Sequence, residues 1–405
     1  MVARLRPYTW LTVALMVLAL LLPNIWGGCE KSPVSPGDNP APIPITSDVK
    51  WQVVFSDSRA RFPSKSGVIF DSSGTFGFAI GTQTYRTTDG GHSWIAMPPD
   101  FGGGLFITSK RVAYQLYPFQ RTTDAGESWY SIPTPTSKGG VILPVTENLF
   151  YLIEYLEDIH GTSHATAIWK TENAGNSWTQ IGKPEGDIYG LATVDGINLV
   201  VGSSPLSAVT TLYYSNDGGN SWAKANIDTT GSERGYRFYW VQFLSAKTAV
   251  CVANWSTPAP QSVVGIFRTS DGGANWNKVY ETDILPYVSN GAAVFFLLAR
   301  SPRLLVQVIT RTTYFISYVY NSDDAGLTWT SFGRWIEKDQ PYYYYFYKPT
   351  FAPPDCRIGI SGPWMTQDGG KTWTQKSWYV ANAAFLSPYE VIGVRDSVIL
   401  RGTAP

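Results

Sequence analysis

The chain has few cysteines, few histidines, no excess of either charge and no long apolar run. Its 405 residues include three cysteines and three histidines, and no histidine lies near a cysteine, so cysteine catalysis is not expected. Basic and acidic residues number 31 each, which argues against a nucleic-acid binder. The apolar stretch Leu11–Leu22, with 12 residues, is too short for a comfortable transmembrane helix.

What the chain does contain is a repeated octapeptide of the form Ser/Thr-x-Asp-x-Gly-x-Ser/Thr-Trp. The spacing between successive final tryptophans ranges from 35 residues (Trp94 to Trp129) to 54 residues (Trp222 to Trp276). A period of this length is typical of an array of like units, such as a propeller or a solenoid. The seven copies are Thr87–Trp94, Thr122–Trp129, Thr171–Trp178, Ser215–Trp222, Thr269–Trp276, Ser322–Trp329 and Thr366–Trp373.

Each octapeptide is predicted to form a tight turn between two strands. The acid accepts hydrogen bonds from backbone N–H groups one or two residues on, the glycine takes a positive φ, and the tryptophan begins the next strand. One carboxylate per turn falls far short of the six to eight oxygens of a calcium site. The residues expected in this structural role are Asp89, Asp124, Asn173, Asp217, Asp271, Asp324, Asp368, Trp94, Trp129, Trp178, Trp222, Trp276, Trp329 and Trp373.

Short β-rich segments flank the octapeptides, and no long helical periodicity separates the copies. Four short strands per repeat predict an all-β fold, a single β-propeller of four-stranded blades. Ala383–Leu386, Glu390–Val394 and Ser397–Arg401 look like three further blade strands, and Trp51–Phe55 looks like the missing fourth. Pairing this N-terminal strand with the C-terminal strands would close the array with eight blades. Seven blades is the alternative, because the closing strands carry no octapeptide.

The octapeptide resembles the Asp-box, or BNR repeat, of sialidases, sortilin-type receptors, xyloglucan-active glycosidases and photosystem II assembly factors. The resemblance covers roughly residues 51–403 and implies a β-propeller. Two copies depart from the pattern, with Asn173 in place of the aspartate and Asn275 in place of the Ser/Thr. Both amides can make local hydrogen bonds, so the turn is expected in these copies as well.

The N-terminus has the features of a targeting segment. Arg4 and Arg6 precede the apolar stretch, and small residues precede Cys29, as in a bacterial lipobox whose cysteine is acylated. Trp26 departs from the usual aliphatic residue of such a motif. Ordinary signal cleavage near Gly28, or an uncleaved anchor, is the alternative interpretation.

These features predict three parts of the chain. Residues 1–28 form a signal peptide, residues 29–48 a proline-rich tether, and residues 49–405 the propeller. A lipid anchor at Cys29 would hold the protein in the bacterial cell envelope outside the cytoplasm, at the outer membrane or the cell surface.

The remaining cysteines and histidines are not expected to form a site. Cys251 and Cys356 lie in second-strand positions of blades separated by a whole blade, too far apart for a disulfide, so both are predicted to be small buried apolar residues. No metal and no cofactor is expected. One inserted segment that could suggest a metal is interpreted as a solvated hairpin tip; it contains Glu154, Glu157, Asp158, His160 and His164.

The longer connections all fall in loops that leave a blade opposite the octapeptides. Insertions that gather on one face usually mark a binding face. Exposed Tyr and Trp there would offer flat contacts to a sugar or peptide, although packing between blades is the alternative for the same aromatics. The longer segments are Glu154–Ala165, Asn226–Tyr236, Trp255–Val263, Glu281–Asn290 and Arg334–Tyr345. The candidate ligand residues are Tyr236, Arg237, Tyr239, Trp255, Arg334, Tyr342, Tyr343, Tyr344 and Tyr345.

The favoured function is a non-catalytic envelope lipoprotein that binds a protein or glycan, as an assembly or adhesion scaffold. A receptor-like peptide binder would use the same face. The enzymatic alternative is a secreted glycoside hydrolase of the sialidase or xyloglucan-active type, which requires a suitably placed pair of catalytic groups. No Phe/Tyr-Arg-Ile-Pro-like segment precedes the first octapeptide, and the spacing of the candidate arginines fits no sialidase triad.

Overall fold

The computed structural model shows an all-β protein. The strands form a β-propeller of eight four-stranded antiparallel blades, which confirms the prediction of eight rather than seven. No described residue belongs to a helix that is long and apolar enough to cross a membrane. The described residues are 48–62, 67–98, 101, 103–136, 140–157, 163–204, 211–230, 236–256, 261–282, 285–286, 294–300, 303–311, 315–337, 349–353 and 356–403.

Blades 1 to 4 follow one another along the chain, each with its strands in sequence order. Blade 1 contains β2 (Gly67–Phe70), β3 (Gly77–Ile80), β4 (Tyr85–Thr87) and β5 (Ile95–Ala96). Blade 2 contains β6 (Gly103–Ile107), β7 (Ala113–Tyr117), β8 (Phe119–Thr122) and β9 (Tyr130–Ser131). Blade 3 contains β10 (Gly140–Pro144), β11 (Phe150–Glu157), β12 (Ser163–Thr171) and β13 (Thr179–Ile181). Blade 4 contains β14 (Asp187–Thr193), β15 (Leu199–Ser204), β16 (Thr211–Ser215) and β17 (Ala223–Lys224).

Blade 5 carries two short additional strands, β18 (Asn226–Ile227) and β23 (Leu285–Pro286). Its four main strands are β19 (Arg237–Phe243), β20 (Ala249–Ser256), β21 (Gln261–Thr269) and β22 (Asn275–Glu281). Blade 6 contains β24 (Val294–Arg300), β25 (Arg303–Arg311), β26 (Phe315–Ser322) and β27 (Thr330–Glu337). Blade 7 contains β28 (Thr350–Phe351), β29 (Gly359–Ser361), β30 (Trp364–Thr366) and β31 (Thr374–Gln375).

Blade 8 joins the two ends of the chain. It consists of β32 (Asn382–Phe385), β33 (Glu390–Arg395) and β34 (Val398–Thr403), with β1 (Lys50–Ser56) as the fourth strand. The pairing runs from Lys50 opposite Thr403 to Ser56 opposite Val398, with an irregularity between Val53 and Phe55. The predicted N-terminal closing strand is therefore confirmed.

Each blade has two distinct ends. We call the end with the loop between the first and second strands the turn end; in blades 1 to 7 the octapeptide lies there too, between the third and fourth strands. We call the opposite end, where the second strand connects to the third, the far end. This assignment follows from antiparallel pairing alone, because neighbouring strands reverse direction.

The chain divides into two compact units. One contains Ile132–Ser317 and Ser322–Trp329, and the other contains the described residues up to Ser131 together with Tyr318–Asn321 and those from Thr330 onward. In the first unit, the buried side chains of Val200 and Leu212 of blade 4 pack with blade 5. In the second, separate clusters join blade 7 to 8, blade 8 to 1 and blade 1 to 2.

The octapeptide turn is closed by four hydrogen bonds that recur in every copy. In blade 7, the Thr366 hydroxyl donates to Asp368 Oδ1 (2.8 Å) and accepts from the N–H of Gly370 (2.8 Å). The N–H of Thr372 donates to the same Oδ1 (2.8 Å), and its hydroxyl donates to Asp368 Oδ2 (2.6 Å). The groups that donate to the acid therefore belong mainly to the residue four positions after it, whereas donors one or two residues on were predicted.

The two departures from the consensus keep this bonding pattern. The Asn275 amide donates to Asp271 Oδ2 at 2.7 Å, as the Ser or Thr hydroxyl does in other copies. At Asn173 the direction is reversed, because its Nδ2 donates to Ser177 Oγ at 2.8 Å while Oδ1 still accepts from the N–H of Ser177. The third position of the turn therefore needs a hydrogen-bond acceptor and a complementary polar side chain at the seventh position, and it does not need a charged group.

The tryptophan of the octapeptide ties the turn to the hairpin. In six copies its indole N–H donates to the carbonyl of the fifth-position glycine, as Trp276 does to Gly273 at 2.9 Å. Trp178 instead donates to the carbonyl of Pro133 at 3.0 Å. Except for Trp276, which lies inside β22, these tryptophans precede the fourth strand rather than begin it.

Neighbouring blades are joined through the carbonyl of the fourth octapeptide residue. Arg86 Nη1 of blade 1 donates to the carbonyl of Ala125 in the blade 2 turn (2.7 Å). Asn321 Nδ2 of blade 6 donates to Gly369 of blade 7 (3.4 Å), Arg268 Nε of blade 5 to Ala325 of blade 6 (3.1 Å), and Arg401 Nη1 of blade 8 to Gly90 of blade 1 (3.0 Å). In blades 1, 5 and 6 the donor immediately precedes the octapeptide of its own blade, so the contact repeats with the blades.

We predict that Asp368→Ala lowers the stability of the protein by about 1–2 kcal/mol, because three donors lose their acceptor at a partly exposed site. Asp368→Asn should cost less, since Asn173 fills the same position in blade 3. Lys371→Ala, at the exposed sixth position of the same turn, is the matched control. Urea unfolding midpoints measure all three, and an equal loss for the alanine variant and the control would contradict the role of the turn.

Candidate functional site

The turn ends carry carboxylates whose hydrogen-bonding capacity is used locally. Hydrogen bonds from the Ser221 hydroxyl and N–H, and from Ser215, lower the pKa of Asp217 to about 2. Burial alone would raise the pKa of Asp89, but hydrogen bonds from Ser93, Thr87 and the N–H of His92 outweigh it and bring that pKa to about 2 as well. These two carboxylates therefore hold their turns through local hydrogen bonds that favour the ionised form.

The far ends of blades 3 and 5 are built differently, because two of their strands run beyond the first strand. In blade 3, β11 and β12 continue pairing past the Gly140–Glu154 pair as far as Glu157 opposite Ser163. In blade 5, β20 and β21 continue as far as Ser256 opposite Ser262. Much of what the sequence analysis predicted as inserted loops is therefore paired strand, and only the hairpin tips at 158–162 and 257–260 lie outside the described residues.

The other three longer segments also contain strand. Asn226 and Ile227 form β18, which pairs in parallel with β22 and covers its outer edge. Leu285 and Pro286 form β23, which pairs with Ser262 and Gln261 of β21. The segment that begins at Arg334 starts within β27.

The extended hairpin of blade 5 is therefore a three-stranded ribbon at the far end. β23 adds its pairs where β20 and β21 project past the rest of the blade. Trp255 lies on this ribbon, opposite Val263, and Arg237 pairs with Asn254 at the start of β19. Two of the predicted ligand residues are thus brought to one corner of the blade by backbone pairing.

Tyr236 belongs to the core rather than to an open surface. Its side chain is 1 % exposed, and its ring meets Phe267 edge to face at a centroid distance of 4.9 Å. Gly265 permits this approach, because a Cβ there would lie 2.8 Å from Phe267 and 3.2 Å from the Tyr236 ring. Tyr236 is therefore a core residue, and its buried cluster also contains Val200 and Leu212 of blade 4, as the packing alternative for these aromatics predicts.

A small polar group lies beyond the Tyr236 ring. The Tyr236 hydroxyl donates to Glu281 Oε2 (3.2 Å), and Lys278 Nζ donates to the same oxygen (2.7 Å) and to the carbonyl of Thr230 (2.7 Å). Burial, reinforced by the Glu281 charge, raises the pKa of Tyr236. Burial opposes but does not outweigh the hydrogen bond that Lys278 donates to Glu281, so the pKa of Lys278 is raised as well.

The other predicted ligand residues are placed only in part. Tyr239 lies in β19 at an irregularity between Phe238 and Trp240, and Arg334 lies in the outer strand of blade 6. Tyr342, Tyr343, Tyr344 and Tyr345 lie outside the described residues.

Of the acids and histidines in the inserted segment of blade 3, Glu154, Glu157 and His164 lie in paired strands. Glu154 is 5 % exposed and accepts hydrogen bonds from the Thr166 hydroxyl (2.9 Å) and the Trp169 indole (3.2 Å). His164 lies in β12 opposite Leu156, and Asp158 and His160 fall outside the described residues. Within the part of the chain that is described, no three or more His, Cys, Asp or Glu side chains are grouped as metal ligands.

The cysteine prediction was correct for one residue and wrong for the other. Cys251 is a free thiol in the core of blade 5. Cys356 is buried as expected, but it is disulfide-bonded. Cys356 lies between β28 and β29 rather than in the second strand of its blade. The third cysteine of the chain, Cys29, lies outside the described residues.

Known protein structures resemble this chain in fold alone. No protein family and no curated protein matches the chain. A structure of YCF48 bound to D1 peptide is similar at 15 % identity and a TM-score of 0.44, covering 89 % of this chain and 96 % of that one. YCF48 from Cyanidioschyzon merolae matches at 14 % identity and 0.45, covering 88 % and 98 %. The GH74 enzyme of Niastella koreensis matches at 11 % and 0.33, covering 84 % and 75 %.

The lowered pKa values of the turn aspartates predict acid sensitivity. Their ionised form is favoured by folding, so their contribution is complete above the ordinary pKa of 3.8 and is lost as pH falls toward about 2. We expect urea unfolding midpoints to be level from pH 7 to about 5 and to fall steeply below about 4. Asp217→Asn should reduce this slope, whereas Asn216→Ala, at the exposed second position of the same octapeptide, changes no titratable group and should leave it unchanged. Equal slopes for all three proteins would contradict the assignment.

Proposed function

We propose that the protein is a non-catalytic, lipid-anchored binding module of the bacterial cell envelope, with Asp-box turns as its structural repeat. It binds a protein or glycan partner at the far ends of its blades. The observation that carries this proposal is the difference between the two ends of a blade. Turn ends repeat one self-satisfied hydrogen-bond pattern, whereas far ends differ from blade to blade.

The hydrogen bonds of the turn end support this difference between the two ends of a blade. Both carboxylate oxygens of Asp368 accept bonds from within the octapeptide. The N–H of Gly369 donates to the carbonyl of Arg357, in the loop between the first two strands of the same blade. The side chains and amides that define this end are committed to holding the blade, which leaves little capacity for recognition.

The ribbon of blade 5 supports the choice of the far end. Its backbone is held by pairing on both sides of β21, so the backbone loses little conformational entropy when a partner binds. The Lys278–Glu281 ion pair lies at the same end of the blade, on β22. An aromatic residue such as Trp255 on a rigid backbone is the type of residue that dominates binding energy at interfaces.

We expect Trp255→Ala to weaken capture of the envelope partner by at least about tenfold, because a central aromatic contact is worth 2 kcal/mol or more. Immobilised wild-type and variant proteins would be incubated with solubilised envelope from the source bacterium. Tyr389→Ala, an exposed aromatic at the turn end of blade 8, is the control and should bind as wild type does. Thermal unfolding of each variant checks that the propeller is intact.

Treatment of the extract decides the class of partner. Capture that is lost after proteolysis of the extract identifies a protein, and capture that is lost after periodate oxidation identifies a glycan. Equal capture by Trp255→Ala and wild type, with loss in Tyr389→Ala, would contradict the far-end site. Time-dependent release of reducing sugar from envelope glycans by the wild-type protein would contradict a non-catalytic role and support the glycoside hydrolase.

A count of free thiols tests the lipid anchor. Acylation converts the Cys29 sulfur to a thioether, and Cys251 is free. Cys356 is disulfide-bonded in this structure, and acylation of Cys29 would remove the remaining cysteine of the chain as its partner. The lipid anchor therefore predicts two reactive thiols per molecule after denaturation without reductant, whereas the disulfide predicts one. A single reactive thiol in the membrane-extracted protein would contradict lipidation. The Cys29→Ser variant should leave the membrane fraction.

A further inference from the structure

We propose that the outer edge of β1 is an interface at which two copies of this chain pair, so that the sheet of blade 8 continues from one copy into the other. This interface shares no residue with the far-end ribbon of blade 5. Three features of β1 support it: a long open edge, an exposed apolar side chain, and opposite charges in a self-complementary order.

Most outer strands of the propeller present too short an edge to pair with another chain. β5, β9, β13, β17 and β31 contain two or three residues each. The outer strand of blade 5, β22, has seven residues, but β18 pairs with its first two. Native proteins keep edge strands short or covered in this way, because an open edge pairs readily with other chains.

β1 does not follow this pattern. It has seven residues and ends its sheet, because β34 pairs with one side of it and no described strand pairs with the other. Val53, at its centre, is 52 % exposed although it is apolar. A long edge with an exposed apolar residue is suited to the addition of a strand from another chain. β27 of blade 6 also ends its sheet, and its side chains at 332–337 lie outside the described part of the chain.

The irregularity in β1 decides how two copies would align. Val53 pairs with Leu400 and Phe55 with Ile399, so Val54 is an extra residue on β1. Its side chain packs against the cluster between blades 8 and 1. When two copies of one strand pair antiparallel about a two-fold axis, a residue on the axis lies opposite its own copy. With Val53 on the axis, both irregularities fall beside the axis and the regular segments on either side pair with each other.

This alignment brings opposite charges together at both ends of the paired strands. Counting outward from Val53 without the extra residue, Lys50 lies opposite Asp57 of the second copy, and Asp48 comes near Arg59 of the second copy. The side chains of Asp48 and Arg59 are 49 % and 73 % exposed. The two-fold axis repeats each contact, and exposed pairs of this kind add little affinity but fix the register.

Self-complementarity is the reason to assign the edge to a second copy rather than to an unrelated strand. A two-fold interface uses the same surface on both sides, so each charge must find its opposite within one sequence, as those flanking Val53 do. Because the strands run in opposite directions, the far end of one blade 8 lies beside the turn end of the other. The paired edge is small, so we expect a reversible dimer.

A disulfide across the two-fold axis tests the interface. Val53→Cys places a thiol opposite its own copy, at a Cα separation of about 4.5–5.5 Å that a disulfide can bridge. Intact cells that produce the full chain would be treated with a mild oxidant, and adducts would be resolved without reductant and identified by mass. Ile95→Cys, which is 57 % exposed on the two-residue strand β5, is the matched control. The wild type shows any adduct that the native cysteines form.

We expect Val53→Cys to form a covalent dimer of twice the chain mass, in at least about tenfold higher yield than Ile95→Cys, because paired thiols react at a high effective concentration. Adding Lys50→Glu to Val53→Cys should lower the yield about fivefold, since it places like charges opposite each other. Lys110→Glu, the same charge change in an exposed loop of blade 2, should leave the yield unchanged.

Equal yields from Val53→Cys and Ile95→Cys would overturn the interface. An adduct of Val53→Cys with a different protein in place of the dimer would overturn self-pairing and assign the edge to another partner. A yield that Lys50→Glu does not lower would overturn the register. Trp255→Ala should leave the dimer yield unchanged, so failure of partner capture at the ribbon and failure of this interface are distinguishable.

Discussion

The structure depends on one small hydrogen-bonded unit, the octapeptide turn, and on one atom within it, the carbonyl oxygen of its fourth residue. The first- and third-position side chains close the turn, and this closure fixes the direction of that carbonyl. An arginine or asparagine of the preceding blade then donates to it, as Arg86 does to Ala125 and Arg401 to Gly90. In blades 1, 2, 6 and 7 the same turn therefore folds its own blade and aligns it with the preceding one.

This arrangement explains the backbone strain in the turn. The fourth residue adopts a left-handed conformation even where it is alanine, with φ between 57° and 60° at Ala125, Ala174 and Ala325. A left-handed alanine is costly, and it persists only where surrounding contacts determine it. Here its N–H donates to the loop between the first two strands, as Ala125 does to Arg111 and Ala174 to Asn148. The carbonyl of Ala125 also accepts from Arg86 of blade 1, so two bonds hold its conformation, and the carbonyl of Ala325 accepts from Arg268 of blade 5.

Sequence reasoning succeeded where the signal was local and repeated. The octapeptides located the turns of seven blades, and the match between Trp51–Phe55 and the strands after those turns located β1. It failed for contacts between distant positions. The donors to the fourth-position carbonyl are two different residue types, separated from their acceptors by 39 to 311 positions, so no short pattern reveals them.

The candidate site shows the same limit. An alternating run of aromatics near Tyr236 predicts a strand, but it does not reveal which rings are buried, because that depends on Gly265 and Phe267 in another strand of the same blade. Lengthened hairpins were interpreted as loops, because strand extension in β11 and β20 carries no turn signal of its own. The disulfide at Cys356 was missed for a related reason, since position within the repeats gives no information about a cysteine that lies before them.

Substitutions at the two ends of a blade have different effects on the fold. A substitution in the octapeptide alters both a turn and the contact between blades, so few residue types are acceptable there. A substitution at the far end alters a ribbon that projects beyond the shared sheet, as at Trp255, and leaves the turn bonds untouched. The residues of the far-end ribbons can therefore vary at little cost to the fold. β1 begins at the turn end of blade 8, so the residues before it join that blade opposite its far end.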